Sequence, residues 1–488
     1  MTQKEMQSIL EIGTAISSEK DYNRLLEMIL NRIMELTHAD AGTLYLADGD
    51  LLRFKIMCNN TMHTCEGGDG KEPNLPPVRM SRENVCAMCY LENRTVCIEN
   101  VRTSTEYDFS GPVRYDAMTG YHTQSMLVVP MHNRQGERLG VIQLINAMDA
   151  AGNICAFPAD IIPAVESVAS QAAITIQNVL YIENIKELFE SFVRVMSSAV
   201  DERTPYNASH TRHMVEYGRH FIDYLNETAK AEGREPWFDA EHRHELLMSV
   251  WLHDIGKLVI PLEVMNKEAR LLPEQKSEIL HRFEKMRLLA QIACLKGAIS
   301  GEALEKRLEE LKQDGDTILR ANTAGFCPDD LREEICRIRE KTYTEEDGSE
   351  KPWLEEEEFQ MLMIRKGTLS EKERAVMESH VIITDKLLSE IRFSKELSHV
   401  REWAASHHEL LNGSGYPEHL MAEQIPMEVR IITILDIFDA LVADDRPYKP
   451  GMPVEKALGI LDIMADKEGK LDPELTRLFR KSRCWEKD

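Results

Sequence analysis

Apolar residues spaced three and four apart mark both ends of the N-terminal part of the chain. Residues 4–37 show this helical period in two pieces that are separated by a polar break at 17–21. A second helical pattern covers residues 160–200. Its later apolar residues step by three and four: Ile182, Ile185, Phe189, Phe192 and Met196. Such a seam favours a parallel coiled-coil homodimer over 179–200, although a similar stripe also arises when a helix packs on its own domain.

Between these helices the pattern changes to that of strands. Two short apolar runs, 41–46 and 51–56, flank the turn sequence Asp-Gly-Asp, and a second pair, 125–131 and 139–145, flanks another polar turn. Apolar runs of this length joined by such turns are typical of β-hairpins. Helix, hairpin, variable middle, hairpin and helix in that order predict an α+β domain over 1–178, with an antiparallel sheet flanked by helices.

Size and charge narrow the function classes. At 488 residues the chain is too long for one compact core, so at least two domains are expected. Its 58 Lys and Arg against 83 Asp and Glu give a formal net charge of −25, which argues against a nucleic-acid polymer or an anionic membrane as partner. No apolar run is long enough for a transmembrane helix, and the N-terminus lacks a signal-peptide pattern. We therefore expect a cytoplasmic protein whose 10 cysteines are mostly reduced.

The segment 251–257, with the sequence WLHDIGK, carries the strongest chemical signal. His253 and Asp254 follow an apolar helical stretch, where burial costs free energy unless a partner or a cation offsets their desolvation. A carboxylate can bridge two cations, whereas the adjacent imidazole, about 100° away around the helix, reaches only one of them. For an isolated His-Asp dipeptide the better interpretation is a helix end, with Gly256 as a cap and Lys257 as a C-terminal charge.

Further metal-ligand residues favour the metal interpretation. The candidates elsewhere in the chain are His210, His380, His407, His408 and Asp436. Two of them are adjacent histidines before a glycine-broken loop, where they can ligate two different ions. Any one alone is more often a surface or satisfied core residue. Together with His253 and Asp254 they provide five histidines and two aspartates, enough for a two-metal site with open positions for water and phosphate.

This ordered set resembles the HD-GYP phosphodiesterases, the all-helical branch of the HD-domain phosphohydrolases that cleaves cyclic di-GMP. The resemblance covers about 197–475. It rests on these parts in order: His210, His253-Asp254-x-Gly256-Lys257, His380, His407-His408-Glu409, Gly413-x-Gly415-Tyr416-Pro417, Asp436 and Arg446-Pro447-Tyr448. It implies an all-α domain, which we place at 201–488.

The HD-GYP pattern is interrupted by an insertion at 268–365. This stretch is highly charged and helical in pattern. Breaks predict several antiparallel helices, and they fall at Gly297, Gly301, 314–316 and 347–349. The insertion would form a lid over the site, form an interface or be passive.

The resemblance also implies the roles of the site residues. Two divalent ions, Fe or Mn, would be bridged by Asp254, and their ligands would be His210, His253, Asp254, His380, His407, His408 and Asp436. The catalytic residues would be Asp254 and Lys257, with Lys257 stabilising transition-state charge on the scissile phosphate. The substrate would contact Lys257, Gly413, Gly415, Tyr416, Pro417, Arg446 and Lys449. Tyr206 stands where some members have a glutamate that helps hold a third metal, so we expect two ions.

The N-terminal part is similar to GAF domains, a family of small-molecule and partner-sensing modules. The likeness is carried by 128–131 and 140–146 and runs over about 5–178. Ala147 and Ile161 depart from the cyclic-nucleotide signature of that family, so its ligand stays open.

A cysteine cluster in the variable middle of this domain offers a further site. Cys65, Cys86 and Cys89 would bind zinc or an iron–sulfur centre, or cycle as thiols. The alternative is that these cysteines fill the core as small apolar residues.

Together the two resemblances imply a cytoplasmic, GAF-regulated phosphodiesterase that cleaves cyclic di-GMP to linear pGpG or GMP. One alternative is a catalytically silent receptor that binds the nucleotide and signals through the insertion or the linker. Loss of a metal ligand usually marks that state, and all seven ligands are present. The other alternative is a hydrolase of a different cyclic dinucleotide, which Asn412, where Asp is commoner in the family, leaves open.

Overall fold

The computed structural model describes residues 13–16, 18–19, 21–68, 70–71, 73–133, 135–203, 209–443 and 451–486. The predictions at Tyr206, Arg446 and Lys449 lie outside these ranges. The chain divides into two compact units between Phe189 and Glu190. No helix in the described ranges has the length and hydrophobicity that crossing a membrane requires.

The first unit is an α+β domain built on one antiparallel sheet. Its helices are α1 (Tyr22–Thr37), α2 (Val85–Glu92), α3 (Ser110–Thr119) and most of α4 (Ile162–Asp201). Its strands are β1 (Ala39–Asp48), β2 (Leu51–Asn59), β3 (Thr64–Gly67), β4 (Val78–Arg79), β5 (Val96–Ile98), β6 (Met126–His132), β7 (Arg138–Met148) and β8 (Ile154–Cys155). The strand order is β3-β2-β1-β7-β6-β5, with β4 beside β2 and β8 beside β7. Both predicted hairpins are confirmed, since β1 pairs with β2 and β6 with β7.

Alternate residues of the strands supply the two halves of the core. Leu127 and Val129 of β6 join the cluster that packs under α1 and α4. Met126 and Val128 belong to the second cluster, which contains the buried face of α2. Because successive side chains of a strand point to opposite faces, helices cover the sheet on both sides, as the sequence predicted.

The structure does not bring Cys65, Cys86 and Cys89 together. Cys65 of β3 is exposed and forms a disulfide with Cys58 of β2. Cys86 and Cys89 are buried in α2, in the cluster that contains Val128. Burial raises the pKa of the Cys86 thiol to about 12 and also raises that of Cys89. Thiols held protonated in an apolar core are poor ligands and poor nucleophiles, so core packing fits this pair better than the metal or redox interpretation.

The exposed apolar face of helix α4 is not the face that the sequence predicted. Phe189 and Met196, two of the predicted seam residues, are half-buried. The large apolar side chains that face solvent are Tyr181, Ile182, Ile185, Leu188, Phe192 and Val195. The exposed stripe therefore runs along a neighbouring face of the helix, which the spacing alone did not distinguish from the predicted one.

The second unit is largely helical. Its helices are α5 (His210–Ala231), α6 (Ala240–Leu252), α7 (Leu262–Met265), α8 (Pro273–Leu295), α9 (Gly301–Thr323), α10 (Asp329–Arg339), α11 (Glu356–Leu362), α12 (Glu371–Glu378), α13 (His380–Leu388), α14 (Val400–Ala405), α15 (Met427–Val442), α16 (Val454–Asp466) and α17 (Pro473–Ser482). A hairpin of β9 (Thr342–Thr344) and β10 (Glu350–Pro352) interrupts them. Helices α5, α6, α15, α16 and α17 share one buried cluster that includes Phe221, Val250, Ile432, Leu461 and Phe479.

The insertion has a core of its own, which includes Phe283, Ile318 and Trp353. The breaks predicted at Gly297 and Gly301 are confirmed by the connection between α8 and α9, and 347–349 forms the turn between β9 and β10. The break predicted at 314–316 is wrong, because α9 continues through it. Residues on either side of 314–316 are buried in the insertion core, and Lys341 pairs with Asp314. This tertiary packing outweighs the poor helix propensity of an Asp-Gly-Asp sequence.

Candidate metal centre

Five segments of the second unit bring the predicted ligands to one place. His210 is the first residue of α5, and His253 and Asp254 follow α6. Asp436 lies within α15. The remaining three are His380, at the start of α13, and His407 and His408, which follow α14. The insertion separates the first three ligands from the other four along the chain.

Asp254 lies between two groups of histidines. Its Oδ2 is 3.2 Å from Nε2 of His253 and 3.9 Å from Nε2 of His210. Its Oδ1 is 3.4 Å from Nε2 of His380 and 3.9 Å from Nε2 of His407. Each carboxylate oxygen thus faces a different pair of imidazoles, which is the arrangement that a bridging ligand needs.

His408 and Asp436 complete the cluster. Nδ1 of His408 is 3.5 Å from Oδ2 of Asp436, and Nε2 of His210 is 3.4 Å from Oδ1 of the same carboxylate. Two groups of side chains have the composition of metal sites, and within each group the donor atoms lie within 4.8 Å of one another. One group is His380, His407 and His408, and the other is His210, His253 and Asp254. All seven side chains predicted as ligands are therefore neighbours in the structure.

Three of the histidines are oriented by backbone carbonyls. Nδ1 of His253, His380 and His407 each lies 2.7 Å from the carbonyl oxygen three residues earlier. Nε2 of each, and Oδ1 of Asp254, are buried and make no hydrogen bond within the described ranges. Leaving a buried polar atom unpaired costs about 1–3 kcal/mol. Metal-ligating histidines commonly donate their other N–H to a carbonyl, so these residues fit a divalent ion.

The surroundings favour the neutral imidazole at three of the histidines. Burial lowers the pKa of His380 to about 4 and lowers the pKa of His407 and His408 as well. At His210 burial acts the same way, but Asp436 and Asp439 outweigh it and raise that pKa to about 10. Burial acts to raise the pKa of Asp254, but Lys257 and His253 outweigh it and hold that pKa well below its ordinary value. Neutral imidazoles beside an ionised carboxylate are the forms that coordinate metal.

Lys257 lies beside the carboxylate of Asp254. Its Nζ is 2.5 Å from Oδ2 of Asp254. Burial acts to lower the pKa of Lys257, but Asp254 and Asp436 outweigh it and raise that pKa, so the ammonium stays charged. Gly256 is needed for packing rather than for capping, because a Cβ there would lie 1.9 Å from the carbonyl oxygen of His380.

The glycine-broken loop packs against the metal centre. Gly413 has a φ of 74°, and a Cβ on Gly415 would lie 2.5 Å from the carbonyl oxygen of His408. The ring of Tyr416 lies 4.8 Å from that of His408, centroid to centroid. Tyr416 and Pro417 are joined by a cis peptide bond. This placement is compatible with the predicted contact to substrate.

Three residues that hold the proposed ligands in place were not predicted from the sequence. Thr384 Oγ1 donates to the carbonyl of His253, and Thr433 Oγ1 donates to the carbonyl of His407. Asp439 Oδ2 lies 2.6 Å from Nδ1 of His210. A signal for Asp439 was available, because residues three apart on a helix share a face and Asp439 follows Asp436 at that spacing.

Comparison with known proteins agrees with this architecture. Residues 21–176 match the GAF domain family, and residues 357–475 match the HD domain family. The HD match starts at the C-terminal end of the insertion, so it contains His380, His407, His408 and Asp436. The three earlier ligands lie outside it and join the site only through the fold.

Several relatives match part of the chain. Over 121 residues it is 36% identical to the 3'3'-cGAMP-specific phosphodiesterase 3 of Vibrio cholerae, covering 25% of each protein. Over 102 residues it is 40% identical to the cyclic di-GMP phosphodiesterase response regulator RpfG of Xanthomonas campestris, covering 20% of this chain and 26% of the relative. Over 121 residues it is 36% identical to a cyclic di-GMP phosphodiesterase of Thermotoga maritima, covering 25% and 32%. The chain thus spans a third or less of the length of these relatives.

Solved GAF domains resemble the first unit. The GAF domain of an Acinetobacter phosphoenolpyruvate-protein phosphotransferase matches 38% of this chain and 99% of its own, at 15% identity and a TM-score of 0.29. The corresponding domain from Coxiella burnetii matches 37% and 96%, at 13% identity and a TM-score of 0.30.

Proposed function

Because the chain carries a GAF domain and an HD domain, we propose that it is a metal-dependent phosphodiesterase that hydrolyses cyclic di-GMP to linear pGpG or GMP under control of the GAF domain. One observation carries the proposal. Three histidine Nε2 atoms and Oδ1 of Asp254 face one another in a buried site without a hydrogen bond from the described residues. A divalent ion is a partner that this donor set can bind. The names of the relatives favour a cyclic dinucleotide as substrate.

In this proposal the site would hold two divalent ions, Fe or Mn. Their ligands would be His210, His253, Asp254, His380, His407, His408 and Asp436. When bound, such ions supply a water nucleophile of lowered pKa and neutralise charge on the phosphate. The chain's own part is to keep His380, His407 and His408 neutral and Asp254 ionised, so that these side chains can hold the ions.

Substrate binding is assigned to the side chains around this centre. Lys257 carries a partly buried positive charge next to Asp254, where it can stabilise the phosphate as negative charge develops. Tyr416 offers an aromatic face to a base, and Gly413 and Gly415 let the backbone approach closely. Pro417 belongs to the same loop. Two residues outside the described ranges, Arg446 and Lys449, are proposed to contact the phosphates.

A second candidate substrate is 3'3'-cGAMP. Three relatives of Vibrio cholerae are named as phosphodiesterases specific for it, at 35–37% identity over 100 to 121 residues. The two substrates share both phosphodiester bonds and differ in one base. Discrimination would therefore come from the base pocket and not from the metal centre.

We assign the sensor domain to 1–178, the helical linker to 179–200 and the catalytic domain to 201–488. A homodimer is proposed to form through the exposed stripe of α4. Ile185 and Leu188 are 65% and 71% exposed there. Five stripe residues follow the spacing of a coiled-coil seam: Tyr181, Ile185, Leu188, Phe192 and Val195. If these five residues are the a and d positions of a heptad, the charged residues of the stretch fall at b, c and f, away from the flanking e and g positions. They are Glu183, Lys186, Glu187, Glu190 and Arg194. A parallel copy can pack there without like charges meeting.

The proposed enzyme works in the cytoplasm on cyclic di-GMP, with no nucleic-acid polymer or membrane as partner and with a GAF ligand still to be identified. The test is turnover by the purified full chain, loaded with Mn²⁺ or Fe²⁺, against cyclic di-GMP and 3'3'-cGAMP. Hydrolysis of either by the native chain and not by Asp254→Ala supports the proposal. Binding without hydrolysis would instead support a silent receptor.

A further inference from the structure

Four histidines at the centre of the site direct Nε2 toward the carboxylate of Asp254. One of them is held by a different kind of partner from the other three. His253, His380 and His407 place Nδ1 against a backbone carbonyl of their own segment. His210 instead places Nδ1 2.6 Å from the side chain of Asp439. The partner of His210 is therefore a carboxylate from another helix, α15, and not a local backbone group.

Asp439 is buried where it makes this contact. Its side chain is 1% exposed, and Oδ1 faces Nδ1 of His213 at 3.4 Å. It lies one helical turn beyond Asp436, whose Oδ1 is 3.4 Å from Nε2 of His210. The two carboxylates of α15 thus contact opposite nitrogens of the same imidazole. Asp436 is on the metal side of the ring and Asp439 is on the far side.

We propose that Asp439 is a positioning residue, whose carboxylate accepts Nδ1–H of His210 and so fixes the ring with the Nε2 lone pair directed to the metal centre. The inference rests on the proposed function, since it assigns a role toward the same ions. Fixing the tautomer and the orientation removes alternatives in which a proton occupies Nε2. A charged acceptor also makes the imidazole a stronger donor to the ion. Loss of such an outer partner typically lowers metal affinity about 10–100-fold.

The same contact also ties α5 to α15, so a purely structural role must be separated from positioning. Glu428 provides a matched control. It lies on α15 as well, it is buried, and its Oε1 is 2.7 Å from Nε2 of His242, a histidine outside the cluster. Removing either carboxylate of α15 breaks a pair with a histidine of another helix, but only Asp439 touches a proposed ligand.

The experiment measures Mn²⁺ binding to metal-stripped full-length protein by competition with a chelating dye, together with the melting temperature of each metal-free variant. Asp439→Ala is expected to weaken Mn²⁺ binding about 10–100-fold. Asp439→Asn keeps an oxygen acceptor without the charge, so it should fall between Asp439→Ala and the native protein. Glu428→Ala should lower the melting temperature and leave Mn²⁺ affinity unchanged. At saturating Mn²⁺ the turnover number of Asp439→Asn should approach that of the native protein.

Two results would overturn the positioning role. One is native Mn²⁺ affinity in Asp439→Leu, which keeps the size of the side chain without an acceptor and decides the question even if Asp439→Ala does not fold. The other is an equal loss of affinity in Glu428→Ala, which would make the effect structural. A native chain that binds no Mn²⁺ would overturn the proposed function itself, and that outcome differs from both of these.

Discussion

Nζ of Lys257 lies 2.5 Å from Oδ2 of Asp254, the carboxylate that faces four histidines through its two oxygens. The lysine is partly buried and charged, and the described residues give it this ion pair as its closest partner. An ion at Asp254 would take over the neutralisation of that carboxylate. The positive charge of Lys257 would then be available to an anionic substrate.

Lys257→Ala should therefore separate metal binding from turnover. We expect Mn²⁺ affinity and KM to stay within a few-fold of native values, because Lys257 is not a proposed ligand. The kcat should fall about 10²-fold or more, as for loss of a transition-state contact. Lys386→Ala, at an exposed lysine of α13, controls for loss of a positive charge. Parallel loss of metal and activity would show that Lys257 is structural instead.

Gly256→Ala should displace His380. A Cβ at this position would lie 1.9 Å from the carbonyl oxygen of His380, so α13 must shift or the turn must open. The expected cost is about 1–3 kcal/mol of unfolding free energy, with weaker Mn²⁺ binding. Gly459→Ala is the matched control, because a Cβ there on α16 meets nothing within 4 Å and should be neutral or slightly stabilising. Equal effects of the two substitutions in urea unfolding would contradict this explanation.

The metal-free protein should lose stability in acid through its buried histidines. His380 faces Asp254, Lys257 and His408, and burial lowers its folded pKa to about 4 from 6.5. Between these pH values the unfolded chain binds more protons, so stability falls as the pH falls from about 6.5 to about 4. His380→Gln should flatten that dependence in denaturant titrations at several pH values. An unchanged slope would mean that His380 is already protonated in the folded protein.

The exposed stripe of α4 should control the oligomeric state. Leu188→Glu places a charge in the proposed seam and should raise the dimer dissociation constant about 100-fold or more, as judged by analytical ultracentrifugation. Lys186→Glu changes charge on the same helix outside the seam and should leave the dimer intact. A native chain that sediments as a monomer at high concentration would rule out this interface.

Local patterns predicted well what is local in the structure. The two hairpins of the sheet follow from short apolar runs and their turns, and the HD motif follows from adjacent ligands after an apolar helix. The break at 314–316 failed because its outcome depends on Lys341 and on the insertion core. The three cysteines predicted to share a site do not lie together for a similar reason, since spacing does not show that Cys65 lies in β3 and Cys86 in α2.

The partners of the residues that hold the proposed ligands could not be read from the sequence for a related reason. Asp439 pairs with His210 across 229 positions, and Thr384 reaches His253 across 131. The spacing of Asp436 and Asp439 places both on one helix face, but it does not identify His210 as the partner. The proposed ligands were recognisable because burying histidine and aspartate in apolar surroundings costs free energy unless a partner or an ion offsets it.

The most direct test of the account is the metal content of the purified chain measured together with its turnover of cyclic di-GMP. The account predicts two divalent ions per chain, hydrolysis to a linear product, and loss of both in Asp254→Ala. Control variants outside the site, such as Glu428→Ala, should keep both properties. A folded chain that binds no divalent ion and cleaves no cyclic dinucleotide would contradict the account.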